Sequence, residues 1–320
     1  MWKFENIYKE TIWGGDRIGQ YVGESLSSMK IGECWQLSSV DDSLSVVSST
    51  KDRGLTITEL IERYGTELLG KKNYLRFGTR FPLLIKIIDA CENLSVQVHP
   101  DDRLARMRGE LNGKAEMWYV LGCTDHATLI NGFKEQISPE KYTQLVASGE
   151  LMNHLRFSKI KKGDAYYLPA GRVHALGSGV MVVEIQQTSD LTYRIYDYDR
   201  KDASGQPREL HLELAYDAID FTDKGGKAIN YVRRNNFPVC LVSEPHFTIN
   251  LMQLDSEILR DYSEWDTFVA LVATSGKALL RSGEDELYIK AGETVLIPAK
   301  SKGLVIHPEG EFEALEAYVK

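Results

Sequence analysis

The sequence is poor in cysteine and has no closely paired cysteines. Its 320 residues include four, which are Cys34, Cys91, Cys123 and Cys240. Because they are widely scattered, the chain offers neither a zinc-ribbon motif nor the framework of a small disulfide-stabilised protein. We therefore expect small buried thiols in a protein of the reducing cytoplasm.

Long hydrophobic runs and an excess of positive charge are also missing. The run from Phe81 to Ile88 is interrupted by proline and lysine and falls far short of a membrane span. The N-terminal stretch MWKFENIYKETIWGG has no basic region followed by an apolar run, so we expect no secretory signal. The 38 basic residues are outnumbered by 46 acidic ones, which gives a net charge of −8. Since binders of nucleic acids and anionic membranes are normally basic, we expect neither partner.

What the sequence does contain is a series of short β-forming runs separated by glycine, aspartate and asparagine. Examples are IGECWQLSSV, NLSVQVHP, AEMWYVLG and VMVVEIQQ. This pattern is typical of an antiparallel sandwich or barrel rather than of alternating strands and helices. The chain length indicates two domains, or one domain with additions.

Two segments carry helical signals instead. In residues 56–70, a capping box formed by Thr56 and Glu59 is followed by an apolar stripe and a glycine at the C-cap position. Residues 138–157 begin with Ser-Pro-Glu, which is an N-cap followed by a proline at the first helical position. We expect a helix in the first segment and an interrupted helix through the second.

A weak internal repeat relates the two halves of the chain. The segment GDAYYLPAG (163–171) returns as GETVLIPAK (292–300), and EMWYVLGCTDHATLI (116–130) aligns with DTFVALVATSGKALL (266–280). The two members of the second pair lie further apart in the chain than the two members of the first pair. The difference is about the length of the second helical segment, so we interpret that segment as an insertion into the first copy. Two similar β units in tandem predict a duplicated β-barrel.

Residues that could bind a metal are concentrated in the first copy. In the stretch LSVQVHPDD, Gln97 and His99 alternate with aliphatic residues and therefore share one face of a strand. Glu116 lies on another alternating strand, and His174 follows the end of a third. In the second copy, Gly303 stands at the position of His174. Two imidazoles, a carboxylate and an amide oxygen suit a divalent ion of the zinc class.

The rest of the second copy carries no comparable set of ligands. The alignment puts Asp266 opposite Glu116, and no Gln-x-His strand precedes Asp266. A histidine needed only for packing would not have to be confined to one copy, so the polar set indicates a functional site. We expect the other histidines to be ordinary core or surface residues: His126, His154, His211, His246 and His307.

Six blocks of the sequence extend this site into a longer pattern. In order they are IYKETIWGGDRIG, IGECWQLSS, FPLLIKIIDACENLSVQVHPDD, GKAEMWYVL, LPAGRVHALGSG and VEIQQTSDLTYRIYDYDR. Together they resemble the type I phosphomannose isomerases in their short bacterial form, most closely from residue 1 to about 210. The resemblance implies a mainly β fold of two cupin-type (jelly-roll) β-barrels in tandem with short helical insertions. It also implies one bound Zn²⁺ per chain and the interconversion of mannose 6-phosphate and fructose 6-phosphate.

The resemblance assigns roles to individual metal-site residues. His99, Glu116 and His174 fall on the metal ligands of the family, and Gln97 falls on a fourth ligand of its larger members. We expect residues 1–220 to form the catalytic metal-binding domain, with helical insertions near 56–70 and 138–157. We expect residues 225–320 to form a C-terminal cupin-like domain that lacks a metal site.

The same resemblance assigns the catalytic positions. Arg194 falls on the active-site arginine of the family and Lys114 on a lysine near the substrate. Glu184 and Asp190 fall on carboxylates with acid–base or orienting roles. There is one departure, because larger members carry a histidine immediately before that lysine and Gly113 stands here. A mechanism that needs that histidine is not available to this chain.

These residue types suit an aldose–ketose isomerisation through an enediol. Negative charge develops on the carbonyl oxygen during that reaction, and a metal acting as a Lewis acid stabilises it. A carboxylate or a lysine with a tuned pKa can move the proton, and an arginine can bind an anion through two parallel hydrogen bonds. For Arg194 and Glu184, the structural alternative is membership of an internal ion pair.

Two other functions remain open on the residues alone. Two histidines and a carboxylate also form the iron site of metal-dependent oxygenases on the cupin fold. A non-catalytic sugar-binding protein is the second alternative, and such a protein is expected to have lost a ligand or the arginine, which the first copy retains. Lys114 and Arg194 suit a phosphorylated sugar and favour the isomerase.

Overall fold

The structure is a computed structural model of the chain and describes residues 1–26, 30–201 and 205–320. It consists mainly of β-strands that pair in antiparallel fashion, with short helices between them. The prediction of a mainly β protein is therefore confirmed.

The strands that precede residue 220 supply most of the first β unit. In chain order they are β1 (Trp2–Lys3), β2 (Ile7–Gly15), β3 (Ile31–Leu37), β4 (Ser39–Val40), β5 (Ser43–Leu44), β6 (Leu83–Ala90), β7 (Val96–Val98), β8 (Glu116–Cys123), β9 (Thr128–Phe133), β10 (Leu155–Lys159), β11 (Ala165–Leu168), β12 (His174–Leu176), β13 (Val180–Gln187) and β14 (Tyr193–Tyr196).

The remaining strands supply the second β unit. They are β15 (Val239–Glu244), β16 (Phe247–Leu254), β17 (Ile258–Asp261), β18 (Val269–Ser275), β19 (Lys277–Ser282), β20 (Asp285–Lys290), β21 (Thr294–Ile297), β22 (Gly303–Pro308) and β23 (Phe312–Tyr318). The helices are α1 (Arg17–Val22), α2 (Ile57–Tyr64), α3 (Thr66–Leu69), α4 (Lys71–Phe77), α5 (Asp102–Met107), α6 (Pro139–Ser148), α7 (Leu212–Ala218) and a 3-10 helix (Leu151–His154).

Within the described residues these strands form four main sheets, labelled A to D, and a small ladder of β4 and β5. In spatial order sheet A is β11-β8-β13-β6-β2-β3 and sheet B is β10-β9-β12-β7-β14. Sheet C is β1-β21-β18-β23-β16-β15 and sheet D is β17-β22-β19-β20. Each ladder ends at an edge strand, so the sheets are not closed into the two barrels that the resemblance implied.

Alternation along the strands decides what lies between the sheets. On β8, Met117 and Tyr119 join a core that sheet A shares with sheet C. Trp118 points to the opposite face and packs in a second core with Leu176 of sheet B. Sheet A is therefore covered on both faces, with sheet C on one side and sheet B on the other.

The two outer sheets are covered differently. A core containing Leu271 of β18 and Leu280 of β19 lies between sheets C and D. On the far side of sheet B, Val98 packs with Tyr142 of α6 and Ala215 of α7. Because both sheets are covered on their outer faces, polar residues between sheets A and B can reach solvent only through the gap between the two sheets.

The first helical segment forms at the predicted position. Thr56 and Glu59 make the predicted capping box at the start of α2, Gly65 divides the segment into α2 and α3, and α4 follows beyond its predicted end. Gly70, the predicted C-cap, has a φ of 86°, and a Cβ there would lie 2.1 Å from the carbonyl oxygen of Asp266. Glycine is needed at this position because the helices approach the second β unit so closely.

The second segment is helical over a shorter range than predicted. Ser138 caps α6 and a proline occupies its first turn, as expected. The left-handed Gly149 ends α6 after Ser148, and the 3-10 helix Leu151–His154 continues the interrupted helical stretch as predicted. Phe157 lies in β10, where it pairs with Ile130 of β9. The end of the prediction was wrong because this long-range strand pairing outweighs local helical preference.

The ladders revise the alignment of the two copies. Leu168 of β11 pairs with Glu116, whereas Ile297, its counterpart in the repeat, pairs with Val269. The structural counterpart of Glu116 is therefore Val269, and the alignment with Asp266 was wrong. Asp266 instead accepts hydrogen bonds from the backbone N–H groups at the start of α4.

The predicted insertion corresponds to an observed difference between the copies. Residues 134–154, which include α6, connect β9 to β10 in the first copy, whereas Gly283 and Glu284 alone connect β19 to β20 in the second. The two β units are joined at the N-terminus as well, because Trp2 of β1 pairs with Leu296 of β21 in sheet C.

The cysteines are free, but they are not uniformly buried. Cys34 is buried, Cys123 is half-buried, and Cys91 and Cys240 are exposed. The expectation of buried thiols was wrong for the two exposed cysteines. Cys91 follows the end of β6, and Cys240 lies on the exposed side of β15, which is an edge strand. Over the described ranges, no helix has the length and apolar character required to cross a membrane.

Candidate metal centre and active site

The three predicted metal ligands meet between sheets A and B. His174 Nε2 lies 3.0 Å from Glu116 Oε1, and His99 Nε2 lies 3.5 Å from Glu116 Oε2. One ligand atom from each of the three residues lies within 4.8 Å of the others, and all three side chains are buried. Among the described residues, this is the group of histidines, cysteines and carboxylates whose spacing suits a metal.

Strand pairing explains why the residues converge. On sheet B, Arg194 of β14 pairs with Gln97 of β7, and Gln97 pairs with His174 of β12. Directly paired residues present their side chains to the same face, and His99 shares that face because it follows Gln97 by two positions. Glu116 begins β8 on sheet A and faces them across the gap between the sheets.

The donor set fits a divalent metal. Both oxygens of Glu116 and Nε2 of His99 are buried without a hydrogen-bond partner among the described residues. Unsatisfied buried polar atoms are costly, and a cation would satisfy them. The imidazole-to-carboxylate distances of 3.0 and 3.5 Å suit a tetrahedral ion held at about 2.0–2.2 Å. A ring nitrogen of His174, Nδ1, contacts the backbone oxygen of Arg172 at 2.8 Å, which orients the imidazole.

The electrostatic environment keeps His99 and Glu116 in the forms that bind metal. Burial holds the pKa of His99 well below its usual value, and Lys114 adds to this effect, so the imidazole is neutral. Burial opposes the charge on Glu116, but the nearby Lys114 and His174 outweigh it and lower the pKa of the carboxyl. A neutral imidazole and a carboxylate are the forms that coordinate metals.

Gln97 lies beside the triad. Its amide nitrogen is 3.4 Å from Nε2 of His174, so its side-chain amide reaches the same point between the sheets. The amide oxygen is a possible ligand when the amide is turned, because the two amide orientations have the same shape.

A cavity of about 350 Å³ opens beside the triad, where Gln97 and Lys114 form part of its wall. It falls within the range of small-molecule sites, about 300–1,000 Å³. Its wall includes all the other residues predicted for the site, together with residues that sequence reasoning did not select. The predicted ones are Gln97, Lys114, Glu184, Asp190 and Arg194, and the additional charged or aromatic ones are Glu10, Trp13, Glu33, Lys86, Trp118 and Arg208.

Arg194 is held at the cavity wall by backbone contacts. Its backbone N–H donates to Nδ1 of His211, and its guanidinium NH1 donates to the carbonyl oxygen of Glu209 at 2.8 Å. Its Nε is buried without a partner among the described residues, and the structure records no ion pair for it. Partial burial, with the positive charge of Arg208 nearby, lowers the pKa of Arg194 from its usual high value. The ion-pair alternative is therefore not observed for Arg194.

Lys114 bridges the cavity and the metal centre. Its Nζ lies 3.4 Å from Oε2 of Glu116, and its side chain is almost fully buried. Its backbone N–H donates to the carbonyl oxygen of Pro100, which ties the segment before β8 to the segment after β7. Asp102 strengthens this connection by accepting a hydrogen bond from the backbone N–H of Gly113 at 2.9 Å.

Gly113 has no room for the histidine found in larger relatives. A Cβ at this position would lie 2.5 Å from the carbonyl carbon of Asp101 and 2.6 Å from the backbone oxygen of Pro100. Both are backbone atoms that cannot rotate away, so glycine is required for the close approach of the two segments.

Glu184 occupies the opposite wall and belongs to an internal ion pair. Trp118 donates its indole N–H to Oε2 of Glu184 at 2.7 Å, and Nζ of Lys86 lies 3.3 Å from Oε1. Burial, together with the negative charge of Glu116, raises the pKa of Glu184 above its usual value despite Lys86. The ion-pair alternative thus applies to Glu184, although the partner is Lys86 and the pair still faces the cavity. Asp190, by contrast, is exposed at the cavity rim.

The residues that sequence reasoning missed had weak signals. Lys86 interrupts the otherwise apolar run of β6, and a lysine in a strand that is buried throughout is unusual. Glu33 lies on β3 among buried residues and gave no pattern of its own. Both became recognisable only through cross-strand pairing.

Comparisons with known proteins all lead to one family. A family model described as phosphomannose isomerase type I, catalytic domain, matches residues 1–135. Mannose-6-phosphate isomerase ManA of Bacillus subtilis (strain 168) is 36% identical over 321 residues, which covers 99% of this chain and 96% of that relative. Mannose-6-phosphate isomerase of Streptococcus mutans serotype c (strain ATCC 700610 / UA159) is 33% identical over 309 residues, or 96% of this chain and 94% of the relative.

A solved structure extends the match to the fold. The crystal structure of mannose 6-phosphate isomerase from Bacillus subtilis superposes with a TM-score of 0.88 at 33% identity and covers 99% of each chain. The similarity therefore includes both β units and is not confined to the first. The chain belongs to the type I phosphomannose isomerases and is an enzyme of that family.

Proposed function

We propose that this chain interconverts mannose 6-phosphate and fructose 6-phosphate through an enediol, with one zinc ion bound per chain. The observation that carries the proposal is the buried triad of His99, Glu116 and His174 beneath a cavity walled by Lys114 and Arg194. The relatives named above carry the name mannose-6-phosphate isomerase, and each aligns with this chain over nearly its whole length.

His99, Glu116 and His174 would hold the metal, with Gln97 as a fourth ligand. Two imidazoles, a carboxylate and an amide oxygen form a donor set that suits zinc. When bound, the ion would supply Lewis-acid stabilisation of the negative charge that develops on the substrate carbonyl oxygen.

Glu184 is our candidate for moving the proton. A general base works best when its pKa is near the operating pH, and burial raises the pKa of Glu184 in that direction. As a carboxylate it accepts the proton from C2 of the aldose, and as a carboxylic acid it returns that proton to C1. Asp190 at the rim has an orienting role in this proposal.

Arg194 and Lys114 stabilise negative charge on the substrate. The planar guanidinium of Arg194 can make two parallel hydrogen bonds to an enediolate or a phosphate. Lys114 is a compact cation close to the metal centre, where it screens the carboxylate of Glu116. Burial strengthens both interactions because water is largely excluded.

The division of labour between the two β units is also a proposal. Residues 1–220 carry the proposed chemistry as a cupin-type domain, and residues 225–320 form a second cupin-type domain that serves as a scaffold. Val269 and Gly303 in the second unit offer no ligand atoms at the positions of Glu116 and His174. The free cysteines support a cytoplasmic location.

One experiment tests the function. Purified protein is analysed for metal content and assayed for isomerisation of mannose 6-phosphate, with glucose 6-phosphate as a comparison substrate. We expect about one zinc per chain and turnover of mannose 6-phosphate that is lost with a chelator and restored by zinc. Iron content with substrate-dependent oxygen consumption would indicate the oxygenase instead, and sugar binding without turnover would indicate a non-catalytic protein.

A further inference from the structure

A row of four functional side chains crosses sheet A next to the metal centre. Trp35 of β3 pairs with Lys86 of β6, Lys86 pairs with Glu184 of β13, and Glu184 pairs with Trp118 of β8. Directly paired residues share a face, so all four side chains point toward the cavity between sheets A and B. Glu33 precedes Trp35 by two positions and shares this face too.

Lys86 is shared between two carboxylates. Its Nζ lies 3.3 Å from Oε1 of Glu184 and 3.4 Å from Oε2 of Glu33, and only 4% of its side chain is exposed. A buried ammonium needs such partners, because burial alone would disfavour its charge. The nearly equal distances mean that neither carboxylate has Lys86 to itself.

Among the described residues, each carboxylate has one further hydrogen-bond donor, which is an indole. Trp35 donates its N–H to Oε2 of Glu33 at 2.5 Å, and Trp118 donates its N–H to Oε2 of Glu184 at 2.7 Å. The result is a chain of contacts that runs Trp35, Glu33, Lys86, Glu184, Trp118. Glu33 and Glu184 therefore compete for the ammonium of Lys86.

We propose that Glu33 is a positioning residue that holds Lys86 midway between the two carboxylates and thereby keeps Glu184 free to accept a proton. The proposal rests on the proposed function of Glu184 as the group that moves the proton. If Glu33 were neutral, Lys86 would pair with Glu184 alone, and a carboxylate in an unshared buried ion pair is a weak base. If Lys86 were neutral, Glu184 would lose its nearest positive charge.

The two substitutions therefore act in opposite directions. Glu33→Gln keeps the size of the side chain and an acceptor for Trp35, but removes the competing charge, so Glu184 should ionise at lower pH. Lys86→Met removes the cation, so Glu184 should ionise at higher pH. A role in packing alone would not produce opposite displacements.

Other charged groups face Glu33, Lys86 and Glu184 from neighbouring elements, and both substitutions leave those groups in place. They are Lys9 and Glu10 of β2, Lys114 and Glu116 at the start of β8, and Asp190, Arg194 and Arg208 around the cavity. Their contributions are common to all variants, so the comparison isolates the effect of sharing Lys86.

The test is the pH dependence of kcat/KM for mannose 6-phosphate in the metal-loaded enzyme. We expect the acid limb to move to lower pH in Glu33→Gln, with kcat reduced about tenfold because the base is weaker, and to higher pH in Lys86→Met. Glu293→Gln is the matched control, since it removes a carboxylate from a partly buried lysine pair outside the cavity and should leave the limb unchanged. If Lys86→Met does not fold, Lys86→Gln carries the same prediction.

A second readout does not depend on turnover. Infrared difference titration of the substrate-free protein, with Glu184→Gln to identify the Glu184 signal, should give the same opposite displacements. The role of Glu33 would be overturned if the acid limb moved in the same direction in Glu33→Gln and Lys86→Met, or moved in neither variant. This reading requires that the wild-type protein isomerises mannose 6-phosphate. A wild-type protein with no isomerase activity would instead overturn the proposed function, while the infrared titration would still decide whether Lys86 is shared.

Discussion

His174 Nε2 lies 3.0 Å from Oε1 of Glu116, although the two residues belong to different sheets. His174 begins β12 in sheet B, and Glu116 begins β8 in sheet A. The contact therefore spans the gap between the sheets at the point where the cavity reaches the interior. A metal bound here would join the two sheets as well as serve the reaction.

We expect His99→Ala to lose both the metal and the isomerase activity while remaining folded. The substitution removes a neutral imidazole from a three-residue donor set, and the ligands that remain are too few for tight binding. Metal analysis and circular dichroism measure the two properties separately. His126→Ala, which changes an exposed histidine, is the control. Full metal occupancy with normal turnover in His99→Ala would remove this site assignment.

We expect the second β unit to bind no metal of its own. At the positions of Glu116 and His174 it has Val269 and Gly303, neither of which has a side-chain atom that could bind a metal. Anomalous scattering at the zinc edge from crystals of the intact protein should give one peak per chain, between sheets A and B. A second strong peak within residues 225–320 would contradict the prediction.

Arg194→Ala should lower kcat by about a hundredfold to a thousandfold, with little change in KM. An interaction made mainly in the transition state appears in kcat, whereas uniform binding appears only in KM. Metal content should stay unchanged, because a guanidinium cannot act as a ligand. Arg194→Lys should recover little, since an ammonium lacks the planar pair of donors. A raised KM with kcat intact would mean that Arg194 only binds the substrate.

Gly113→Ala should destabilise the protein by about 1–3 kcal/mol and reduce activity. The new Cβ would overlap the backbone at Asp101, so the segment that carries Lys114 must move. Urea unfolding and steady-state kinetics measure the two effects. Gly122→Ala is the control, because a Cβ at Gly122 meets no atom within 4 Å. Equal stability of the two variants would mean that the close approach at Gly113 relaxes at little cost.

Asp102 gives a prediction for pH. Partial burial opposes its charge, but hydrogen bonds from Gln187 and from the N–H of Gly113 outweigh burial and hold the pKa of Asp102 below its usual value. A carboxyl whose pKa is lower in the folded state contributes stability above its unfolded pKa and loses it as the pH falls through the folded pKa.

Asp102→Ala should therefore cost about 2 kcal/mol at neutral pH, and the difference from wild type should shrink below about pH 4. Urea unfolding at neutral and acidic pH measures this dependence. Asp125→Ala, at an exposed position, is the control. A difference that is constant with pH would assign the effect of Asp102 to packing.

The sequence identified the polar set without the fold. Three local features identify it, and each can be read from one chain. They are the alternation of Gln97 and His99, the histidine that the second repeat lacks, and the family blocks around Glu116 and Arg194. The start of α2 was predictable for the same reason, because a capping box involves residues only three positions apart. Each of these features depends on neighbours in the chain.

Tertiary structure decided which of these residues meet and what surrounds them. Only strand pairing brings Lys86 beside Glu184 and Glu33, and only the packing of sheet A against sheet B brings Glu116 to His174. The register of the second copy and the strand found at Phe157 in place of the predicted helix were likewise settled by strand pairing. Residue type and local period are written in the sequence. The neighbours of a buried charge such as Glu184 are set by contacts across the sheets, which no local pattern records.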